Sequence, residues 1–144
     1  MPLRILITGT SAAVSQVTKT IIDRSLHNCK SEIVDYKQLS LSAEKADYDF
    51  AVINDLMADV YYRLPSALND VPSVLITNND RILNDPKRFG LFGAIKNTSG
   101  GAAGLVAFEK ELIAIINNGT HNTLERKSAD KPHFDKIMQS PDGS

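Results

Sequence analysis

Short apolar runs alternate along the chain with longer segments whose apolar residues recur at helical spacing. Such runs favour β-strands, and the third, from Tyr48 to Asn54, is continuous enough for a strand buried on both faces. After the first run, Val14 and Ile21 recur at helical spacing behind Thr10 or Ser11, either of which can cap a helix. The pattern predicts strands at 3–8, 32–36, 48–54, 71–77 and 91–96, and helices at about 11–28, 39–46, 59–69, 80–89 and 102–116.

Five strand–helix units in succession predict an α/β domain with a parallel sheet and helices on both faces, because parallel neighbours need helical crossovers. Five units suit the flavodoxin-like strand order 2-1-3-4-5. Pro65 and Pro86 fall inside two of the predicted helices and should bend or shorten them.

The pattern changes at the end of the last helix, where Asn117, Asn118 and Gly119 form a typical helix stop. The stretch that follows is polar and contains Pro132 and Pro141. We therefore predict one folded domain over residues 1–118 and a linker or disordered tail over residues 119–144.

Composition narrows the classes of function. Lys and Arg number 16 against 17 Asp and Glu, a formal net charge of −1, so there is no basic excess for direct nucleic-acid binding. No apolar stretch approaches the length of a membrane span. Cys29 is the only cysteine, which favours a reducing, cytoplasmic location.

Polar residues follow several of the predicted strands directly. Asp55 comes after the third strand, Thr77 ends the fourth and Lys96 ends the fifth. In the order 2-1-3-4-5 these ends meet at one crevice beyond the sheet. We therefore expect a carboxylate, a hydroxyl and an ammonium group to converge there, with Asp55 and Lys96 within reach of one another.

The same three segments resemble motifs of response-regulator receiver domains: Val52 to Met57, Leu75 to Thr77, and Gly93 to Lys96. The resemblance implies that Asp55 is the candidate phosphoacceptor, that Thr77 contacts the phosphoryl group and that Lys96 pairs with it. It also implies signal transduction, a histidine kinase as phosphoryl donor, and a homodimer or partner contact through residues 80–116.

The chain also departs from that family. Receivers usually carry two acidic residues after the first strand, where this chain has Thr8 and Gly9. Mg²⁺ prefers carboxylate-rich oxygen sites, and Asp55 with Lys96 gives a local charge near zero, so we expect Mg²⁺ binding to be weak or absent. The leading hypothesis is a pseudo-receiver without cofactor, metal or enzymatic activity, which regulates through protein contacts.

Two alternatives remain open at this stage. In the first, Asp55 is a working phosphoacceptor. In the second, the segment Gly9 to Ala13 binds a nucleotide or another anion, although the chain lacks both Gly-x-Gly-x-x-Gly and the Gly-Lys pair of a Walker A loop.

The tail carries one further resemblance. Phe134 to Pro141 is similar to the segment that joins receivers to the AAA+ module of bacterial enhancer-binding transcription activators. It implies that the domain regulates a C-terminal output domain of its own.

Overall fold

The computed structural model describes residues 2–41, 44–97 and 101–129, with the side chains of 101–103 and 122–129 left aside. Its centre is a five-stranded sheet of order β2-β1-β3-β4-β5, in which each neighbouring pair is parallel. This confirms the predicted α/β, flavodoxin-like class. The strands are β1 Leu3–Gly9, β2 Cys29–Ile33, β3 Phe50–Asn54, β4 Ser73–Thr77 and β5 Gly93–Lys96.

Two of the central strands are buried along their whole length. Every residue of β3 and of β4 is buried, as expected for the middle of a parallel sheet covered on both faces. β2 lies at the edge, and of its five residues only Ser31 is buried. The near-continuous apolar sequence of β3 and β4 therefore follows from their place in the sheet.

Helices cover both faces of the sheet, and those on one face are longer than those on the other. The helices are α1 Ala12–Ser25, α2 Tyr36–Leu41, α3 Asp80–Asn84 and α4 Gly101–Ala129, with 3-10 turns at Ser66–Leu68 and Pro86–Phe89. On one face, α1 and α4 contribute Ile22, Phe108 and Leu112 to the core. The other face is covered by shorter elements.

The helix predicted at 59–69 is wrong. The Asp59 carboxylate accepts a hydrogen bond from the Tyr61 amide (2.9 Å), and Pro65 has the extended backbone angles φ −54° and ψ 138°. Because Asp side chains favour such local turns and proline donates no backbone hydrogen bond, this segment turns instead of continuing as a helix. Only the 3-10 turn Ser66–Leu68 forms within the predicted range.

Two other predicted helices differ in extent. The second begins earlier than predicted, at Tyr36, and residues 42–43 lie outside the described part of the chain. The fourth is split where Pro86 starts a 3-10 turn, so α3 is one short helix capped by Asn79. Gly90 ends this region in the left-handed conformation, with φ 78°.

The last helix runs past its predicted end. It continues through Gly119 to Ala129, and Thr120 is fully buried, with its hydroxyl donating to the Ile116 carbonyl at 2.7 Å. The predicted stop at 117–119 is therefore wrong, and residues 119–129 continue the helix. The rest of the predicted tail, residues 130–144, lies outside the described residues, as does its resemblance to an activator linker.

None of the helices in the described ranges has the length and apolar character needed to span a membrane.

Candidate functional site

The carboxyl ends of four strands lie level at one edge of the sheet. Gly9 of β1 pairs with Asn54 of β3, and Thr77 of β4 pairs with Lys96 of β5. The Asp55 amide donates to the Ile76 carbonyl at 3.0 Å, which holds the first residue after β3 beside β4. The three residues selected from the sequence therefore lie along the same edge.

Asp55 and Lys96 do not form the predicted pair. Among the described residues, no ion pair includes either side chain. β4 lies between their strands, a backbone separation of roughly 10 Å, since neighbouring strands are about 4.8 Å apart. Lys96 is exposed, while the Asp55 carboxylate accepts from the Met57 amide at 3.2 Å.

Thr77 has a local structural contact. Its side chain is fully buried, and its hydroxyl accepts a hydrogen bond from the Asn79 amide at 3.3 Å. Asn79 is in turn the N-cap of α3, accepting from the amides of Arg81 and Ile82. Thr77 thus helps the chain turn from β4 into α3.

The residue that organises this edge is Asn54, which was not among the predicted site residues. Its side chain is 1% exposed and makes three hydrogen bonds. Its Oδ1 accepts from the Ser11 amide at 2.8 Å, and its Nδ2 donates to the Thr8 carbonyl at 3.2 Å and the Ser15 hydroxyl at 2.8 Å. Asn54 therefore binds the end of β3 to the loop between β1 and α1.

A sequence signal for Asn54 was present. It is the polar last residue of the apolar run from Phe50 to Asn54, and a buried amide must find hydrogen-bond partners.

The positions that are acidic in receivers are occupied differently here. The Thr8 hydroxyl is buried and donates to the Val34 carbonyl at 2.7 Å. Gly9 has φ 151°, and a Cβ built there would lie 2.1 Å from the Asn54 carbonyl oxygen. Any side chain at residue 9, a carboxylate included, would collide with β3.

Two tyrosines share the surroundings of Asp55. Burial raises the pKa of Tyr62, and Tyr36 and Asp55 act in the same direction. Burial also raises the pKa of Tyr36, again with a contribution from Asp55. The Tyr62 hydroxyl is buried close to Tyr36. Asp55 therefore lies near neutral phenols.

Within the described residues, no three or more His, Cys, Asp or Glu side chains lie together in a group that could hold a metal ion.

Comparisons with known proteins bear on the fold. No protein-family model matches the chain, and no curated protein matches it in sequence. A yeast Spc42 trimeric coiled coil fused to another protein is similar in structure, with a TM-score of 0.54 and 13% identity over 89% of this chain and 85% of that one. A response regulator protein from Burkholderia multivorans has a TM-score of 0.47 and 16% identity over 81% of this chain and 96% of that one. The first similarity concerns the fold alone, and the second is too distant to support an inference.

Proposed function

We propose that this domain is a regulatory module of the receiver type that acts through protein contacts, without Mg²⁺-dependent phosphorylation of Asp55. The observation that carries the proposal is the Asn54 network at the strand ends. Its hydrogen bonds to Thr8, Ser11 and Ser15 connect β3 to β1, to the following loop and to α1, so this edge of the sheet is a structural joint between these elements. A receiver needs an open acidic site in the same position.

The charges at this edge support the same proposal. Asp55 has no acidic neighbour at residues 8 and 9, and Gly9 has no room for one. Lys96 is exposed and, among the described residues, joins no ion pair that would hold it toward a phosphoryl group. Mg²⁺ gives up its water reluctantly and needs several well-placed oxygen ligands, so one carboxylate is a weak site.

The loop from Gly9 to Ala13 is a poor candidate for anion binding. The Asn54 side chain and carbonyl accept from the amides of Ser11 (2.8 Å) and Thr10 (3.0 Å). The Ser11 hydroxyl accepts from the Val14 amide at 3.2 Å. Three amides in and next to this segment are therefore paired within the fold, and one of them, that of Val14, belongs to the first turn of α1, where a phosphate would bind.

The surface proposed for protein contact lies within residues 80–116. On α4, Leu105 is 44% exposed and Val106 is 54% exposed, and Phe92 beside β5 is 39% exposed. Exposed apolar side chains on one helix suit a contact with a second copy, a partner protein or an attached output domain. The net charge of −1 favours such partners over nucleic acid. A cytoplasmic location and the absence of enzymatic activity belong to this proposal.

Covalent phosphorylation tests the proposal. The protein is incubated with acetyl phosphate and Mg²⁺, and its intact mass is measured, with Asp55→Ala as the matched control. We expect both proteins to keep their starting mass. A phosphoryl group added to the parent and missing from Asp55→Ala would show that Asp55 is a phosphoacceptor and would overturn the proposal.

A further inference from the structure

We propose that a cleft outside the strand-end crevice binds a small phosphate-bearing molecule with at least two negative charges. The cleft has a volume of about 990 Å³ and lies between the irregular segment 60–69 and the region 81–90. One side of it is formed by the segment after β3, which turns instead of forming a helix. We call it the arginine cleft, because Arg63, Arg81 and Arg88 line it.

The charge of the arginine cleft favours an anion. Three arginines and one aspartate, Asp85, are among the residues that line it, which gives the lining residues a net charge of +2 from three positive charges and one negative. In the described part of the chain, none of the three arginines forms an ion pair. A cleft lined by one sign of charge concentrates the field and attracts the opposite charge.

The type of cation favours phosphate. A guanidinium group is planar and presents paired N–H donors that match two oxygens of a phosphate. Arg63 comes from the segment after β3, whereas Arg81 comes from α3 and Arg88 from the following 3-10 turn. An anion in the cleft can therefore receive hydrogen bonds from both bordering segments.

The size and remaining lining favour a ligand larger than inorganic phosphate. A volume of about 990 Å³ lies near the upper end of the range for small-molecule sites. Tyr61 also lines the cleft, and its side chain is 83% exposed, so its ring is available for stacking. A concave site that combines arginines with an aromatic ring suits an organic phosphate, such as a nucleoside diphosphate.

The test uses two probes, ADP and inorganic pyrophosphate, without metal and at low ionic strength. Binding is followed through the backbone amide resonances of the ¹⁵N-labelled protein. We expect saturable shifts among residues 60–69 and 81–90 for at least one probe. Arg81→Ala and Arg88→Ala should each weaken binding by about tenfold, since each removes a charge-assisted hydrogen bond.

Lys87→Ala is the matched control. Lys87 precedes Arg88 in the same 3-10 turn but does not line the cleft, so its loss should change affinity by less than about twofold. Tighter binding of ADP than of pyrophosphate, with the difference lost in Tyr61→Ala, would support stacking on Tyr61. Equal binding of the two would support recognition through the phosphates alone.

Three results would overturn the inference. The first is the absence of saturable binding of either probe at millimolar concentration. The second is binding that Arg81→Ala and Arg88→Ala leave unchanged. The third is a short polyglutamate peptide that binds the cleft more tightly than both phosphates, which would assign it to an acidic protein segment. The outcome does not depend on whether Asp55 can be phosphorylated.

Discussion

At the end of β3, Asn54 places a primary amide among apolar neighbours. Burying an amide costs free energy unless its donors and acceptor are paired, and the three hydrogen bonds of Asn54 go to the end of β1, the loop that follows it and α1. Gly9 also lies directly against Asn54, and for this reason any side chain at residue 9 would collide with it. This one side chain therefore holds together the part of the fold where a receiver would carry its chemistry.

Replacing Asn54 should destabilise the domain substantially. Asn54→Ala removes three side-chain hydrogen bonds and leaves buried partners unpaired, so we expect the free energy of unfolding to fall by about 2–4 kcal/mol. Urea denaturation measures the change. Asn78→Ala is the control, since Asn78 is exposed just after β4 and should cost less than about 0.5 kcal/mol. Equal stabilities of the two variants would contradict the role given to Asn54.

The pairing of Asp55 with Lys96 shows what sequence could not predict at this scale. Both residues follow apolar runs, so their position at the carboxyl edge could be predicted from the pattern alone. The predicted strand order already placed β4 between their strands, so their backbone separation followed from the fold class. The spacing of residues along the chain does not encode the side-chain conformation that leaves Lys96 exposed.

Among the elements, the strands were more predictable than the helices. Strands formed at or close to four of the five predicted positions, because a parallel sheet needs continuous apolar sequence wherever both faces are covered. The second prediction, 32–36, was displaced: β2 is Cys29–Ile33, an edge strand of largely polar sequence, and Tyr36 already belongs to α2. The segment after β3 has enough apolar residues for a helix. However, the local hydrogen bond at Asp59 and the extended Pro65 favour turns, and its apolar side chains Ala67 and Leu68 still reach the core. Hydrophobic periodicity alone does not show whether such a segment will form a helix or local turns.

For the last helix, the sequence predicted an end that the structure does not have. Asn117, Asn118 and Gly119 are typical of a helix end, yet here Gly119 lies inside α4. A Cβ built on Gly119 would lie 2.3 Å from Cε1 of Phe50. The glycine is explained by the close approach of the helix to β3, which only the tertiary structure reveals.

Gly119→Ala should therefore destabilise the domain although alanine is the better helix former. The collision with Phe50 should cost about 1–3 kcal/mol, more than the roughly 1 kcal/mol gained in helix propensity. Thermal unfolding followed by circular dichroism gives the comparison. Asn118→Ala, at the exposed neighbouring position of the same helix, should be neutral or slightly stabilising. A Gly119→Ala variant as stable as Asn118→Ala would mean that α4 does not lie against Phe50.

For the whole molecule, the fold class followed from the sequence, whereas the distribution of charge over its surface did not. The strand-end crevice holds Asp55 near neutral tyrosines, and the cleft with three unpaired arginines lies elsewhere, among the described residues 60–69 and 81–90. The arginine cleft is lined by residues that are far apart in sequence. One of its two bordering segments was predicted to be a helix and is not one. Both features are consistent with the proposed phosphorylation-independent regulatory domain and with the proposed anion site away from its strand ends.

A Mg²⁺ titration tests the central claim of this account, that the strand-end crevice is a structural joint and not a metal-dependent phosphorylation site. The amide resonances of Thr8, Asp55 and Met57 are followed as Mg²⁺ is raised to several millimolar, with Asp55→Ala as the control. We predict that these resonances stay where they are in both proteins, because one carboxylate beside the Asn54 network is too weak a site. Saturable shifts centred on the three residues in the parent, and absent from Asp55→Ala, would contradict the account.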